Sequence, residues 1–131
     1  MLRSTWINVV VILGFSLAAC STLPSELRAK YKPTTLEIKG NKNDVADCLM
    51  PYMDEAKFFI TAEPRYCHKR IIGDKVEIFA ADEGFTLYVI DVEGNGDKSI
   101  ASLYSDNGNW NPARRAFENA AIECNKSLKF K

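Results

Sequence analysis

The chain predicts an α+β fold, an antiparallel sheet of about five strands with two helices on one face, in the order β-α-β-β-β-β-α. Three observations carry this. Apolar residues recur at helical spacing in two well-separated stretches, residues 45–56 and 113–128. Between them the period changes to two, in successive short runs beyond Pro64. Those runs are divided by Gly73-Asp74, Asp82-Glu83-Gly84 and Gly94-Asn95-Gly96-Asp97, turns whose length and composition join antiparallel neighbours. Helices and an antiparallel sheet in one short chain pack most economically as two layers.

The first strand is Thr35-Leu36-Glu37-Ile38-Lys39, which alternates and ends at Gly40. Asn41 and Asn43 are candidate N-caps for the helix that follows, and Asp44 in its first turn suits the helix dipole. Val45, Cys48, Leu49, Tyr52, Met53 and Ala56 form its apolar stripe. Pro51 lacks a backbone donor and crowds the preceding turn, so it is expected to kink this helix or end its regular part. Strands are expected over residues 65–72, 75–81, 85–93 and 98–104. In the final helix Asn111 is the cap, Pro112 takes the first position, and Ala113, Phe117, Ala120, Ala121, Cys124 and Leu128 line one face. Arg114, Arg115, Glu118 and Glu123 fall on its wet side.

Pairing the hairpins through their turns assigns the two faces of the sheet. Val76, Ile78, Ala80, Phe85, Leu87, Val89 and Ile100 come out on the face expected to meet the helices. Glu77, Phe79, Thr86, Tyr88, Ile90, Val92, Ala101 and Leu103 come out on the other. Phe79, Tyr88 and Ile90 make that second face more apolar than solvation requires, which marks it as an expected interaction surface, unless an irregular segment or the tether covers it. Trp110 joins it as a candidate contact residue, with packing over the core as its alternative role. A slip of one residue in a hairpin would exchange the faces.

The opening residues carry a different pattern. Arg3 is followed by an apolar stretch, residues 7–19, that is interrupted by Asn8 and closes on Leu17-Ala18-Ala19-Cys20. A short basic start, an apolar core and small residues before a cysteine resemble the signal peptide of bacterial lipoproteins. The stretch is shorter than the roughly 20 residues of a spanning helix. The resemblance implies cleavage before Cys20, a diacylglycerol on its thiol and an acylated amino group, so that the mature protein is anchored in a lipid bilayer through Cys20. Ser21 stands where an Asp commonly retains such proteins in the inner membrane, which implies the outer membrane, facing the periplasm. The expected organisation is therefore a signal peptide over residues 1–19, a lipidated N-terminus and flexible tether over 20–33, and one α+β domain over 34–131. Pro24 and Pro33 with scattered Ser, Thr and charge give the tether its composition, and its reach is a few tens of ångströms at roughly 3.3 Å per residue.

Loss of residues 1–19 removes only Arg3 from 17 basic residues, leaving 16 against 17 acidic. That balance excludes the basic field that concentrates nucleic acid. An exported chain meets oxidising conditions, so one disulfide is expected among Cys48, Cys67 and Cys124. Cys48 and Cys124 each lie on a helical apolar stripe, and two helices side by side on one sheet can bring them into range; Cys48 with Cys67 is the alternative. Small proteobacterial lipoproteins with a strand-helix opening and a cysteine in each helix are similar in outline, which adds weight to the first pair. A bridge closing that loop stabilises by roughly 4 kcal/mol in the chain-entropy model.

No reaction centre is legible. His68 is the single histidine and adjoins Cys67, on the opposite side of a strand, so the two cannot form a dyad. Zinc would need more His or Cys at ligand spacing, and no nucleophile elbow, phosphate loop or dinucleotide fingerprint occurs. Asp91-Val92-Glu93-Gly94-Asn95-Gly96-Asp97 has the alternating oxygen donors of a calcium loop, but Ser102 stands where the bidentate Glu belongs, and hairpin chemistry accounts for the same residues. Neither metal nor cofactor is expected. The expected function is a non-catalytic interaction or structural module of the cell envelope with an envelope protein as partner. The alternative is a ligand-binding or hydrolase-inhibiting lipoprotein, using Trp110, Tyr88 and a pocket beside Pro51.

Overall fold

A computed structural model describes residues 23–55, 67–82, 84–94, 96–106 and 111–128. Its elements are α1 (Pro24–Lys30), β1 (Thr34–Lys39), α2 (Lys42–Asp54), β2 (His68–Ile72), β3 (Lys75–Asp82), β4 (Phe85–Glu93), β5 (Lys98–Tyr104) and α3 (Ala113–Leu128). The strands form one antiparallel sheet in the order β1-β5-β4-β3-β2. The α+β class and the five-stranded antiparallel sheet agree with the sequence. The helix count does not.

Among the described residues there are three helices, because part of the segment expected to be a flexible tether is α1. Pro24 sits in its first turn, where a missing donor costs nothing, Leu27 is its buried residue, and the Tyr31 amide closes its end on the Leu27 carbonyl at 3.0 Å. The order of described elements is thus α-β-α-β-β-β-β-α. Residues 1–22, with Cys20, lie outside the described residues, as does Trp110.

Asn41 caps α2 as its sequence position suggests, its side-chain oxygen accepting from the Asp44 amide at 2.9 Å. Pro51 does not end this helix, which runs on to Asp54. Val45, Leu49 and Met53 of α2 and Phe117, Ala120 and Cys124 of α3 are fully buried against one face of the sheet, the inner face. There the Cys48 and Cys124 sulfurs form a disulfide between the helices, and Cys67 is the free, buried thiol.

The β3-β4 hairpin decides what else is buried. Its turn pairs Asp82 with Phe85 and Ala81 with Thr86, the register that the short turn implies. The next pair is Ala80 with Tyr88, followed by Ile78 with Ile90 and Val76 with Val92. Leu87 is therefore an extra residue in β4, a β-bulge, and beyond it the side chains of β4 change faces relative to β3. This corrects the expected interaction surface. Tyr88 and Ile90 are fully buried in the core under α2 and α3, together with Val92, Ala101 and Leu103. Phe85 and Ile100, assigned to the helix-covered side, are instead 51% and 44% exposed. Phe79 alone of the four expected surface residues is described on the opposite, outer face, half-buried.

One side chain ties the bulge to a helix. The buried Asn111 donates its Nδ2 to the Leu87 carbonyl at 3.3 Å and accepts from the Ala113 amide at 2.9 Å, so a single amide serves the bulge and caps α3. At the far edge, Asn125 of α3 performs a related service for β1. Its Oδ1 accepts from the Lys39 amide at 2.8 Å and its Nδ2 donates to the Glu37 carbonyl at 3.4 Å, occupying edge groups that would otherwise recruit another strand. At the β4-β5 turn Gly94 has φ +147, and a Cβ there would stand 2.5 Å from the Lys98 carbonyl oxygen, so only glycine fits.

Asn111→Ala removes the cap and leaves a bulge carbonyl unmet. We expect a loss of about 2 kcal/mol in urea unfolding, about half from the cap and half from the carbonyl. Asn111→Asp keeps the cap acceptor but not the donor and should fall between. Unchanged midpoints in both variants would show that the bulge does not depend on this residue.

Candidate functional site on the outer face of the sheet

Beyond the bulge, β4 points Val89 and Asp91 to the outer face, where β3 contributes Glu77 and Phe79 and β2 contributes His68 and Arg70. Helix α1 lies over β4 on this side. Val89 and Glu77 are fully buried and Asp91 nearly so. Two carboxylates buried this deeply require cations, since an unpaired buried charge is among the costliest features a fold can carry.

Three cations answer them. Arg28 of α1 meets Asp91 with two parallel bonds, Nε to Oδ2 at 2.8 Å and Nη2 to Oδ1 at 2.6 Å, and its Nη2 also bonds Glu77 Oε2. Arg70 of β2 donates Nε to Glu77 Oε1 at 2.5 Å. Lys75 of β3 lies 3.3 Å from Asp91 Oδ2. Burial alone would raise the Asp91 carboxyl, but the Arg28 hydrogen bonds and charge, with Lys75 behind them, outweigh it and hold the group below its usual range. The Arg28 guanidinium is held above its ordinary value, first by its bond to Asp91 and against the opposing effect of burial. Arg70 also lies over the Phe79 ring at 5.3 Å, and His68 stands 5.6 Å from the same ring.

Asp91 is thereby committed to Arg28 and Lys75. The segment that resembled the start of a calcium loop places its first carboxylate on the sheet face, within an ion network. Among the described residues no cluster of His, Cys, Asp or Glu could hold a metal ion.

On the inner side, Cys67 is the only described thiol outside the bridge. Its amide donates to Asp54 Oδ1 at 2.7 Å and its Sγ lies 3.5 Å from the Met50 carbonyl oxygen. Burial, reinforced by the Asp54 carboxylate, pushes this thiol up to about 12, which removes the thiolate a nucleophile needs. Burial also raises the Tyr88 hydroxyl, with Cys67 and Asp54 adding to the effect. His68 is exposed beside Phe79, so Cys67 and His68 belong to different environments.

Among the described residues, cavities open at the hairpin ends. One of about 330 Å³ lies at the start of α2, where Lys39 and Lys98 are balanced by Asp44 and Asp97. The other, about 410 Å³, is lined by Ile72, Asp74, Lys75, Glu93 and Gly94 beside the ion network. Neither contains Cys67, His68 or Tyr88. No helix among the described residues is long and apolar enough to cross a membrane. No family model, curated protein or solved structure matches the chain.

The ion network is the feature that sequence reasoning missed. Arg28 belongs to the segment whose composition predicts a tether, and Glu77 and Asp91 fall on one face only once the bulge is known.

Because the folded Asp91 carboxyl is depressed, its contribution to stability is present above the unfolded value near pH 4 and lost as pH falls through the folded one. Unfolding free energy should therefore decline from about pH 5 downward. In Asp91→Asn this decline should be shallower, from a lower plateau at neutral pH, as read by urea melts across pH. Identical acid profiles in the two proteins would remove Asp91 from the account.

Proposed function

We propose that the chain is a lipid-anchored lipoprotein of the bacterial cell envelope, held in the outer membrane and facing the periplasm, whose folded head is a non-catalytic interaction module. The observation that carries the proposal is Leu17-Ala18-Ala19-Cys20 at the end of an apolar run too short to span a bilayer. A disulfide between α2 and α3 suits a domain kept in an oxidising compartment. Ser21 after the cysteine favours the outer membrane as destination.

The head would sit close to the lipid. Three residues, 21–23, separate Cys20 from Pro24, the first residue of α1. At roughly 3.5 Å per residue the span is on the order of 14 Å, shorter than a free tether to residue 33 would allow. An interaction role draws support from the chemistry of the described residues, where the two buried carboxylates of the sheet, Glu77 and Asp91, are paired with cations and the free thiol of Cys67 is buried. An envelope protein is the partner class that such a confined head would meet.

The intact mass of membrane-extracted protein tests the anchor. We expect an N-terminus at Cys20 carrying a diacylglycerol and an amide-linked acyl chain, and transfer of a Cys20→Ala variant out of the salt-washed membrane fraction. A Cys20→Ala protein that is processed normally and stays with washed membranes would refute it. Turnover by the purified head, abolished by one side-chain change, would refute the non-catalytic role.

A further inference from the structure

The outer-face network holds three cations against two buried carboxylates. Glu77 has Arg70 as its own partner and Asp91 has Lys75, both borne by the sheet. Arg28 is the third cation and belongs to α1. Were α1 lifted away, each buried carboxylate would keep a charge partner, so its departure would leave no bare buried anion. Elsewhere α1 holds on lightly. It has seven residues, Leu27 is its buried side chain, Leu23 at its N-cap provides no side-chain cap, and its substantial contacts are with β4 alone. A helix of that length does not persist in water without a surface to lie on.

We propose that α1 is a releasable strap, fastened by Arg28, which opens from the sheet in a local step while the α2-α3-sheet core stays folded. Closed, it covers β4, whose outer face carries the fully buried Val89 between the Phe79 and Tyr104 positions. Open, it frees the Asp91 and Glu77 carboxylates from Arg28 while Lys75 and Arg70 stay beside them. Its other end leads through Tyr31, Lys32 and Pro33 into β1, so the strap stays tethered when it lifts.

Native-state hydrogen exchange on the full chain tests this. The amides bonded within the strap, Leu27 and Tyr31 among them, should exchange roughly a hundredfold or more faster than those of Ile78 and Ile90 in the central strands. Arg28→Ala should accelerate the strap amides by about tenfold more and leave the strand amides within about twofold, with Arg28→Lys in between. Equal exchange of strap and strand amides in the unaltered protein would overturn the proposal, whether or not the variants fold. So would an Arg28→Ala protein in which the strands open in step with α1, since that would make α1 part of a single cooperative unit.

Discussion

The extra residue at Leu87 governs the rest of the structure. Without it, the turn register would carry Phe85, Leu87 and Val89 to the side of Val76, Ile78 and Ala80. With it, Tyr88, Ile90 and Val92 face the helices, and Val89 and Asp91 face away. A one-residue slip of this kind inverts a strand completely. Natural bulges persist where something holds them, and here the Asn111 amide binds the bulge carbonyl while capping α3. The helix start and the bulged strand are thus tied to the same side chain.

Inverting β4 creates a second demand. The strand buries side chains on both faces, Tyr88, Ile90 and Val92 on one and Val89 with Asp91 on the other, so the sheet needs a cover on each side. Helices α2 and α3, joined by the disulfide, supply the larger one. On the outer side the strand presents Val89 and Asp91 beside Glu77, and a short helix bearing one leucine and one arginine packs there. Apolar burial and ion pairing are combined in that contact, but unequally. The helix buries a single leucine, whereas its arginine binds carboxylates that also have cations of the sheet beside them. This inequality is what makes α1 separable from the core.

Much of the architecture was legible in local signals. Asn41, Asn111 and Pro112 mark helix starts through capping chemistry that needs only neighbouring residues, and the glycine-rich turns mark the strand ends. Cys48 and Cys124 could be placed side by side because each lies on the buried stripe of its helix. The faces of β4 were not legible, since a bulge leaves no mark in Thr86-Leu87-Tyr88, and both alternating sets of that strand are apolar enough to be core. Alternation alone therefore puts Tyr88 and Ile90 at the surface, whereas only Phe79 of the described candidates lies on the outer face. Helix α1 was hidden in a segment whose composition is that of a linker. Its order comes from partners more than 45 residues away, Glu77 and Asp91, which local propensity does not report.

Cross-strand nuclear Overhauser contacts in the β3-β4 hairpin measure the register itself. Contacts between opposed residues should connect Ile78 with Ile90 and Ala80 with Tyr88, and those between Asp82 and Phe85 should remain at the turn. A ladder that continues the turn register without a break, opposing Ala80 to Leu87 and Ile78 to Val89, would contradict the account.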